Sequence, residues 1–409
     1  MDNASQVSWL HRRAGLGLHP DQLNLQRELP AADVLSGLLA QEPVADPWAD
    51  LVFDNKGERA DAIVAWLAHL RSSASPYVDR RTWNLHGWLV SAIDKVPPAF
   101  MVEQIRMFSE IGGGPFPDLL RRLSVDRAML VYLDGRQSTA GAPNENYGRE
   151  LLELFALGIG NYTETDVKAA ARALTGWAFS YENPEATLVA RRHDDSPQTL
   201  LGVGGVHDVD SVVDAIVAQP AHGRFVANKV VEQYLGDPQS PPLTGIVDDL
   251  ADRYRADPRL DAMIAVALEH GLGGARSSMV LAPLPWLVMA LRACNLGFAQ
   301  LPGAVRPWLR QSGQIPLLPP GVEGWPVGAD WLNSSAIVAR ANVAAAIAGA
   351  IDSSEPCAVA ASDADPDRLA MHLGLSEPFA PTTASAIRNA PDPTARLTLA
   401  LIAPENLLA

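Results

Sequence analysis

The sequence predicts a mainly α fold, a multi-helix globular body with one small β-hairpin. Apolar residues recur at helical spacing through most of the chain, whereas segments that alternate apolar and polar residues are scarce. Pro, Gly and Asp residues separate the helical stretches, as expected at helix ends. With 409 residues, 48% of them apolar, the chain is long enough to bury a large core.

The regular elements follow from these patterns in chain order. Helices are predicted over 58–70, 98–107, 118–133, 144–155, 163–175 and 336–350. Thr163 and Asp166 match a capping box at the start of the fifth helix, and Thr175-Gly176 marks its end. The hairpin is predicted near 187–203, where residues 188–190 and 199–201 flank a polar stretch.

Three stretches lack periodicity. Residues 232–245 contain three prolines and two glycines and are predicted to be a connection, and 352–366 a linker. Residues 301–333 form a long irregular segment rich in Pro, Gly and Trp. Such a run is unusual inside a compact domain unless it performs a task or packs over a core.

Charge and cysteine content exclude several classes of protein. The 47 acidic and 32 basic side chains give a net charge of −15, which disfavours binding to nucleic acid. Cys294 and Cys357 are too far apart for a CxxC site. The apolar run 279–291 is short and contains two prolines, so we expect no membrane insertion. No export signal is recognisable, and we expect a cytoplasmic protein or one exported together with a signal-bearing partner.

The densest polar segment is the predicted helix 144–155. On a helical projection Tyr147, Leu151, Leu154 and Phe155 fall on one side, and Glu145, Asn146, Arg149, Glu150 and Glu153 fall on the other. Because Arg149 stands four residues from both Glu145 and Glu153, this face could be a simple ladder of ion pairs. The functional interpretation is that Glu150 and Glu153, with Asn146, supply oxygen ligands or an acid/base pair.

A second polar cluster, His193-Asp194-Asp195, falls in the predicted hairpin. Its imidazole and carboxylates could join the helix face, giving Glu150, Glu153, Arg149 and His193 as candidate catalytic residues. Glu150, Glu153 and Asp194 are then candidate ligands of a divalent metal ion. The alternative is a solvated turn in which Asp194 bonds local backbone amides. The nine histidines form no HExxH pair, so a purely histidine metal site is not expected.

Ten tryptophans are a high count for this length, and several lie in irregular segments. Trp177, Trp325 and Trp331, together with Asn146, are candidate substrate-binding residues, since an exposed indole suits stacking on a sugar. The alternative is that these rings attach a long loop to the core. Glu323, close to Trp325, is the carboxylate to test in that loop.

Two blocks of the chain are similar to the signature of a known bacterial family. The first, 144–177, contains Asn144-Glu145-Asn146-Tyr147-Gly148-Arg149-Glu150 and ends in Leu174-Thr175-Gly176-Trp177. The second, 319–342, contains Pro319-Pro320-Gly321-Val322-Glu323-Gly324-Trp325-Pro326. Both closely resemble motifs of the family named domain of unknown function 1800, and weaker similarity covers nearly the whole chain.

The resemblance implies one helical domain over 1–409. Its sub-regions are N-terminal helices (1–75), a motif-bearing core (76–235) and C-terminal helices (246–409) that include the irregular 301–333 insert. Members are often encoded beside a phosphatase- or sulfatase-like protein of the family domain of unknown function 1501. Where many members carry a Trp-His-Asn-His-Phe run, this chain has Phe108-Ser109-Glu110-Ile111-Gly112, which places any role of those histidines in doubt here.

Two function classes follow. The first is an enzyme that uses the carboxylate-rich helix face, with or without a divalent metal ion, for acid/base or hydrolytic chemistry on a polar, glycan-like substrate. The second is a non-catalytic helical partner or escort of the phosphatase-like neighbour. The clustering of polar residue types favours the enzyme.

Overall fold

The computed structural model of the protein describes residues 1–44, 46–53, 59–180, 185–301 and 305–409. These residues form 22 α-helices and two short antiparallel hairpins, which confirms the mainly α fold. The helices are α1 Asn3–Arg13, α2 Pro20–Arg27, α3 Ala31–Leu39, α4 Arg59–Ser72, α5 Pro76–Trp88, α6 Pro98–Ile111, α7 Phe116–Ser124, α8 Arg127–Tyr132, α9 Glu145–Glu150, α10 Glu164–Ala173, α11 Val209–Val217, α12 Pro220–Tyr234, α13 Pro241–Tyr254, α14 Leu260–Leu272, α15 Pro283–Ala293, α16 Val305–Ser312, α17 Ser334–Ala350, α18 Pro356–Ser362, α19 Pro366–His372, α20 Pro381–Asn389, α21 Pro393–Ile402 and α22 Pro404–Leu407. The strands are β1 Trp177–Ala178, β2 Thr187–Leu188, β3 Gln198–Leu200 and β4 Val203–Val206.

Proline and aspartate set many of the helix starts. Proline occupies the first turn of helices such as α5, α6 and α12, where its missing N–H costs no hydrogen bond. Asp126, Asp208 and Asp392 each cap a helix by accepting a hydrogen bond from a backbone amide of its first turn. The high Pro content is therefore compatible with a helical fold.

The buried apolar residues form one contiguous cluster that runs from Val7 to Leu407. It includes fully buried aromatic side chains from both halves of the chain, such as Trp9, Trp66, Phe155 and Trp286. Among the described helices, none combines the length and the hydropathy needed to cross a bilayer.

Several predicted boundaries differ from the observed ones. The stripe 118–133 is two helices, α7 and α8, because Asp126 caps the second by accepting from the Met129 amide. The connection predicted over 232–245 is shorter in the structure and comprises only the residues between Tyr234 and Pro241. The linker predicted over 352–366 contains α18. The irregular segment 301–333 contains α16, and the predicted start at Glu58 lies outside the described residues.

The predicted hairpin at 187–203 has a different pairing. Leu188 pairs with Trp177, so β2 joins β1, while Leu200 pairs with Val203 in a separate hairpin of β3 and β4. Leu201 and Gly202, both with positive φ, form the two-residue turn between β3 and β4. The strands lie where the sequence indicated, but each pairs with a neighbour outside the predicted pair.

Candidate functional site

The helix that carries the polar motif changes its hydrogen bonding half-way. Asn144 caps α9 by accepting from the Tyr147 amide at 3.1 Å. After Glu150 the helix continues as a π-helix over Leu151–Leu157, and the Gly158 amide donates to the Glu153 carbonyl at 3.1 Å. The indole N–H of Trp88 donates to the Leu154 carbonyl at 3.2 Å and so satisfies one carbonyl at the π-helical end.

Glu150 and Glu153 lie at the junction of α9 and the π-helix, and both are half-buried. The hydroxyl of Tyr162 donates to Oε2 of Glu153 and fixes its orientation. Burial raises the pKa of Glu150, and the nearby charges of Glu153 and Glu323 raise this pKa further, while Arg149 lowers it. Both predicted carboxylates are thus brought together.

Glu323 comes to the same place from the irregular loop. Gly324 packs so tightly on α5 that a side chain there would run into the carbonyl oxygen of Gly87, and the Trp325 ring stacks on Trp83 at 4.8 Å. Since Gly87 contacts this loop and the adjacent Trp88 bonds the π-helix, the end of α5 holds the two segments side by side. Glu323 is exposed on this loop, and its charge lies close enough to raise the pKa of Glu150.

Arg149 contacts a different carboxylate from the two proposed in the ion-pair ladder. Its guanidinium donates two bonds of 2.7 Å to Glu164, at the start of α10. This hydrogen-bonded pairing raises the pKa of Arg149, and the pair is largely exposed to solvent. Such surface pairs contribute little to stability, so Arg149 and Glu164 mainly link two neighbouring helices.

His193 and Asp194 lie at the opposite end of α10. His193 Nδ1 lies 2.9 Å from the carbonyl oxygen of Thr175, just after α10, whereas Glu153 contacts Tyr162, just before α10. The ten residues of α10 span about 15 Å, so the two ends cannot form one site. Asp194 accepts from Arg172 Nε at 2.6 Å and from the amide and hydroxyl of Ser196, so it makes the local amide bond of the alternative, but its side chain is only 12% exposed and the turn is not solvated there.

This separation also divides the proposed metal ligands. Asp194 and the pair Glu150 and Glu153 belong to opposite ends of α10 and do not converge. Within the ranges that the structure describes, no group of three or more His, Cys, Asp or Glu side chains is arranged to hold a metal ion.

The four residues proposed to bind substrate differ in exposure. Asn146 is exposed on α9 and Trp177 is half-buried in β1. Trp325 and Trp331 are only 8% and 3% exposed. The Trp325 ring stacks on Trp83 of α5 and so attaches the irregular loop to the core, and a contact of either ring with a sugar stays a prediction.

Two groups near these elements carry no sequence signal. Tyr162, which orients Glu153, precedes a helix whose capping residues dominate the local pattern. His69 and Asp79 are far from any motif, but His69 Nε2 lies 2.9 Å from Asp79 Oδ1 on the wall of a cavity of about 210 Å³. Ser109 and Glu110, from the segment that lacks the expected histidines, line the same cavity.

Comparison with known proteins identifies the family. The family model described as a protein of unknown function, DUF1800, matches residues 9–408. The chain belongs to the DUF1800 family. Neither the comparison with curated proteins nor the comparison with solved structures gives a match. In this DUF1800 chain the two strongest motif blocks, 144–177 and 319–342, come close enough for the charge of Glu323 to raise the pKa of Glu150.

Proposed function

We propose that the protein is a hydrolytic enzyme that uses Glu150, Glu153 and Glu323 for acid/base chemistry on a polar, glycan-like substrate. The observation that carries this proposal is the convergence of three carboxylates from two distant parts of the chain. Like charges repel, and the nearby cation Arg149 is itself paired with Glu164, so a fold that assembles these carboxylates needs a reason beyond stability. A reaction that requires both a proton donor and a proton acceptor supplies such a reason.

Glu150 is assigned as the general acid. Its half-buried position and the two neighbouring carboxylates raise its pKa, which favours the protonated form that can protonate a leaving group. Glu153 is the second carboxylate, held in place by the Tyr162 hydroxyl. A pair of carboxyl groups, one acting as acid and the other as base or nucleophile, is the usual means of cleaving a glycosidic bond, which favours a glycan-like substrate.

The π-helix gives independent support. Segments with π-helical hydrogen bonding are rare and are frequently found at functional sites, and this one begins directly after Glu150 and includes Glu153. Trp88, whose indole bonds its last turn, directly follows Gly87, the residue of α5 against which the loop that carries Glu323 packs. The arrangement supports a function for this helix beyond packing.

The test is hydrolysis of a panel of aryl glycosides and oligosaccharides by the wild type and matched variants. We expect Glu150→Gln to lose about 10²- to 10⁴-fold in kcat, the usual contribution of a general acid. Glu145→Gln is the control, because Glu145 is exposed on the same helix one to two turns away. Because Glu153 raises the pKa of Glu150, Glu153→Gln should move the alkaline limb of the remaining activity to lower pH.

Equal activity of the Glu150→Gln and Glu145→Gln proteins would contradict the assignment of the general acid. No turnover of any glycoside would contradict the substrate class. Capture of a phosphatase-like protein by a chain that turns over no substrate would favour the escort function instead.

A further inference from the structure

A groove whose lining includes none of the three carboxylates lies between α2, α3 and the start of α5. Its volume is about 470 Å³, within the range of small-molecule sites. One part of the lining is apolar and includes Leu18, Leu25, Val34 and Leu38. Leu25 is 73% exposed, so the groove presents an apolar wall to solvent.

The inner end of the groove carries a buried cation, Arg292, only 8% exposed. The hydrogen bonds found for it all run from Nη1 to the carbonyl oxygens of Leu70, Arg71 and Ser73, at 3.2 to 3.5 Å. Among the described residues, no carboxylate lies within salt-bridge distance of Arg292. A buried guanidinium with so few partners favours an anionic ligand.

His11 lies beside this cation on the groove lining. Its side chain is 6% exposed, and neither ring nitrogen has a hydrogen-bond partner in the described part of the chain. Burial lowers the pKa of His11 to about 4, and the charges of Arg292 and Arg27 lower it too. The ring is therefore neutral at pH 7 and offers one unused N–H donor to a ligand.

We propose that this groove binds a small amphiphilic carboxylate, with its apolar tail along the leucine wall and its head group between Arg292 and His11. A guanidinium can donate two parallel bonds to a carboxylate, and the imidazole N–H supplies a third. Among the described residues, Arg292 is the one Lys or Arg on the groove lining, which suits a singly charged head group. Asp33 also lines the groove but is exposed, away from the buried head-group end.

The test uses decanoate as probe, below its micelle concentration, and calorimetric titration of the full chain. Gly37 lies on the groove lining in α3, and a Cβ there meets no atom within 4 Å. Gly37→Phe should fill the groove without disturbing the fold and weaken decanoate binding at least tenfold. Gly245→Phe is the matched control, since Gly245 is also helical, exposed and without neighbours within 4 Å, but lies outside the groove.

Two further measurements test the head-group position. Wild-type protein should bind decanoate at least tenfold more tightly than decanol, which has the same chain and no charge. Arg292→Met should remove that preference. Equal decanoate affinity of the Gly37→Phe and Gly245→Phe proteins, equal affinity of the wild type for decanol and decanoate, or absence of decanoate binding would each overturn the proposal.

Discussion

At the scale of single residues, the close approach of α9 and α10 explains why glycine occupies position 148 of the motif block. A Cβ at Gly148 would lie 2.8 Å from the Val167 carbonyl oxygen and 3.0 Å from the Ala171 amide nitrogen, both in α10. The backbones of α9 and α10 therefore meet at this point. The helical projection of 144–155 predicts the buried face correctly for Tyr147 and Leu151, but it cannot show where α10 folds back onto α9.

Gly148→Ala should destabilise the protein by about 1 to 3 kcal/mol, as overpacking does in other cores. The effect opposes helix propensity, by which Ala is favoured over Gly by about 1 kcal/mol. Gly245→Ala, where a Cβ meets nothing within 4 Å, should stabilise the chain by up to about 1 kcal/mol. Urea unfolding measures both, and a shift of the same sign in the two variants would refute the close approach.

At the scale of elements, features set by consecutive residues were predicted better from the sequence than features set by contacts between distant segments. The capping box of α10 is confirmed: Thr163 and Asp166 exchange hydrogen bonds across one turn, an arrangement that four consecutive residues specify. The pairing of β2 with β1 instead of β3 was not predicted, because strands of two or three residues take their partners from the surrounding packing.

The same distinction applies to the candidate site. Glu150 and Glu153 are close in sequence, so a helical projection could place them together. Glu323 joins them only because Gly324 and Trp325 pack against α5, and His193 is separated from them by the length of α10. Neither the packing of this loop on α5 nor the separation of His193 from the glutamates leaves a periodic signal in the sequence. The π-helix was not predicted either, since the same residues fit an α-helical pattern.

Asp166 allows a test of whether a residue that caps α10 also stabilises the β3–β4 hairpin. Besides capping α10, its Oδ1 accepts from the Leu201 amide at 2.7 Å, in the turn of the β3–β4 hairpin. Asp166→Ala should therefore cost about 1 kcal/mol more than Thr163→Ala, which removes only the cap. Hydrogen exchange at Leu201 should accelerate in Asp166→Ala and stay slow in Thr163→Ala. Equal exchange at Leu201 in both variants would disprove the coupling.

At the scale of the whole molecule, charge is distributed unevenly between surface and interior. The net charge of −15 belongs mainly to the surface, while the core holds buried arginines that donate to backbone carbonyls. Arg12 donates to the carbonyls of Asn406 and Leu408, and Arg340 to that of Leu281. The bonds of Arg12 tie the first helix to the C-terminal end of the chain, which fits one contiguous core from Val7 to Leu407.

The buried histidines should make the whole fold sensitive to acid. Burial lowers the pKa of His11 and His222 to about 4 and that of His86 to about 3, from an ordinary value of 6.5. Between pH 6.5 and 4 the unfolded chain binds protons that the folded chain does not, so the free energy of unfolding falls as the pH falls. The three shifts together amount to on the order of 10 kcal/mol, which is comparable with the total stability of a typical domain.

Asp126 acts in the opposite direction. Burial raises its pKa to about 6, so the folded chain holds a proton that the unfolded chain releases, and this group stabilises the fold as the pH falls toward 4. Its contribution, about 3 kcal/mol, is smaller than that of the histidines.

We therefore expect the urea midpoint to decrease steadily from pH 7.5 to pH 5. Three histidines take up protons on unfolding and Asp126 offsets about one of them, so His86→Phe should flatten this decrease by nearly half. Within the described residues, neither nitrogen of His86 has a hydrogen-bond partner that Phe would lose, and the ring packs against Trp66 and Trp325. The exposed His207 provides the control, because His207→Phe should leave the slope unchanged. A midpoint that is constant between pH 7.5 and 5 would show that the buried rings accept protons without unfolding the chain.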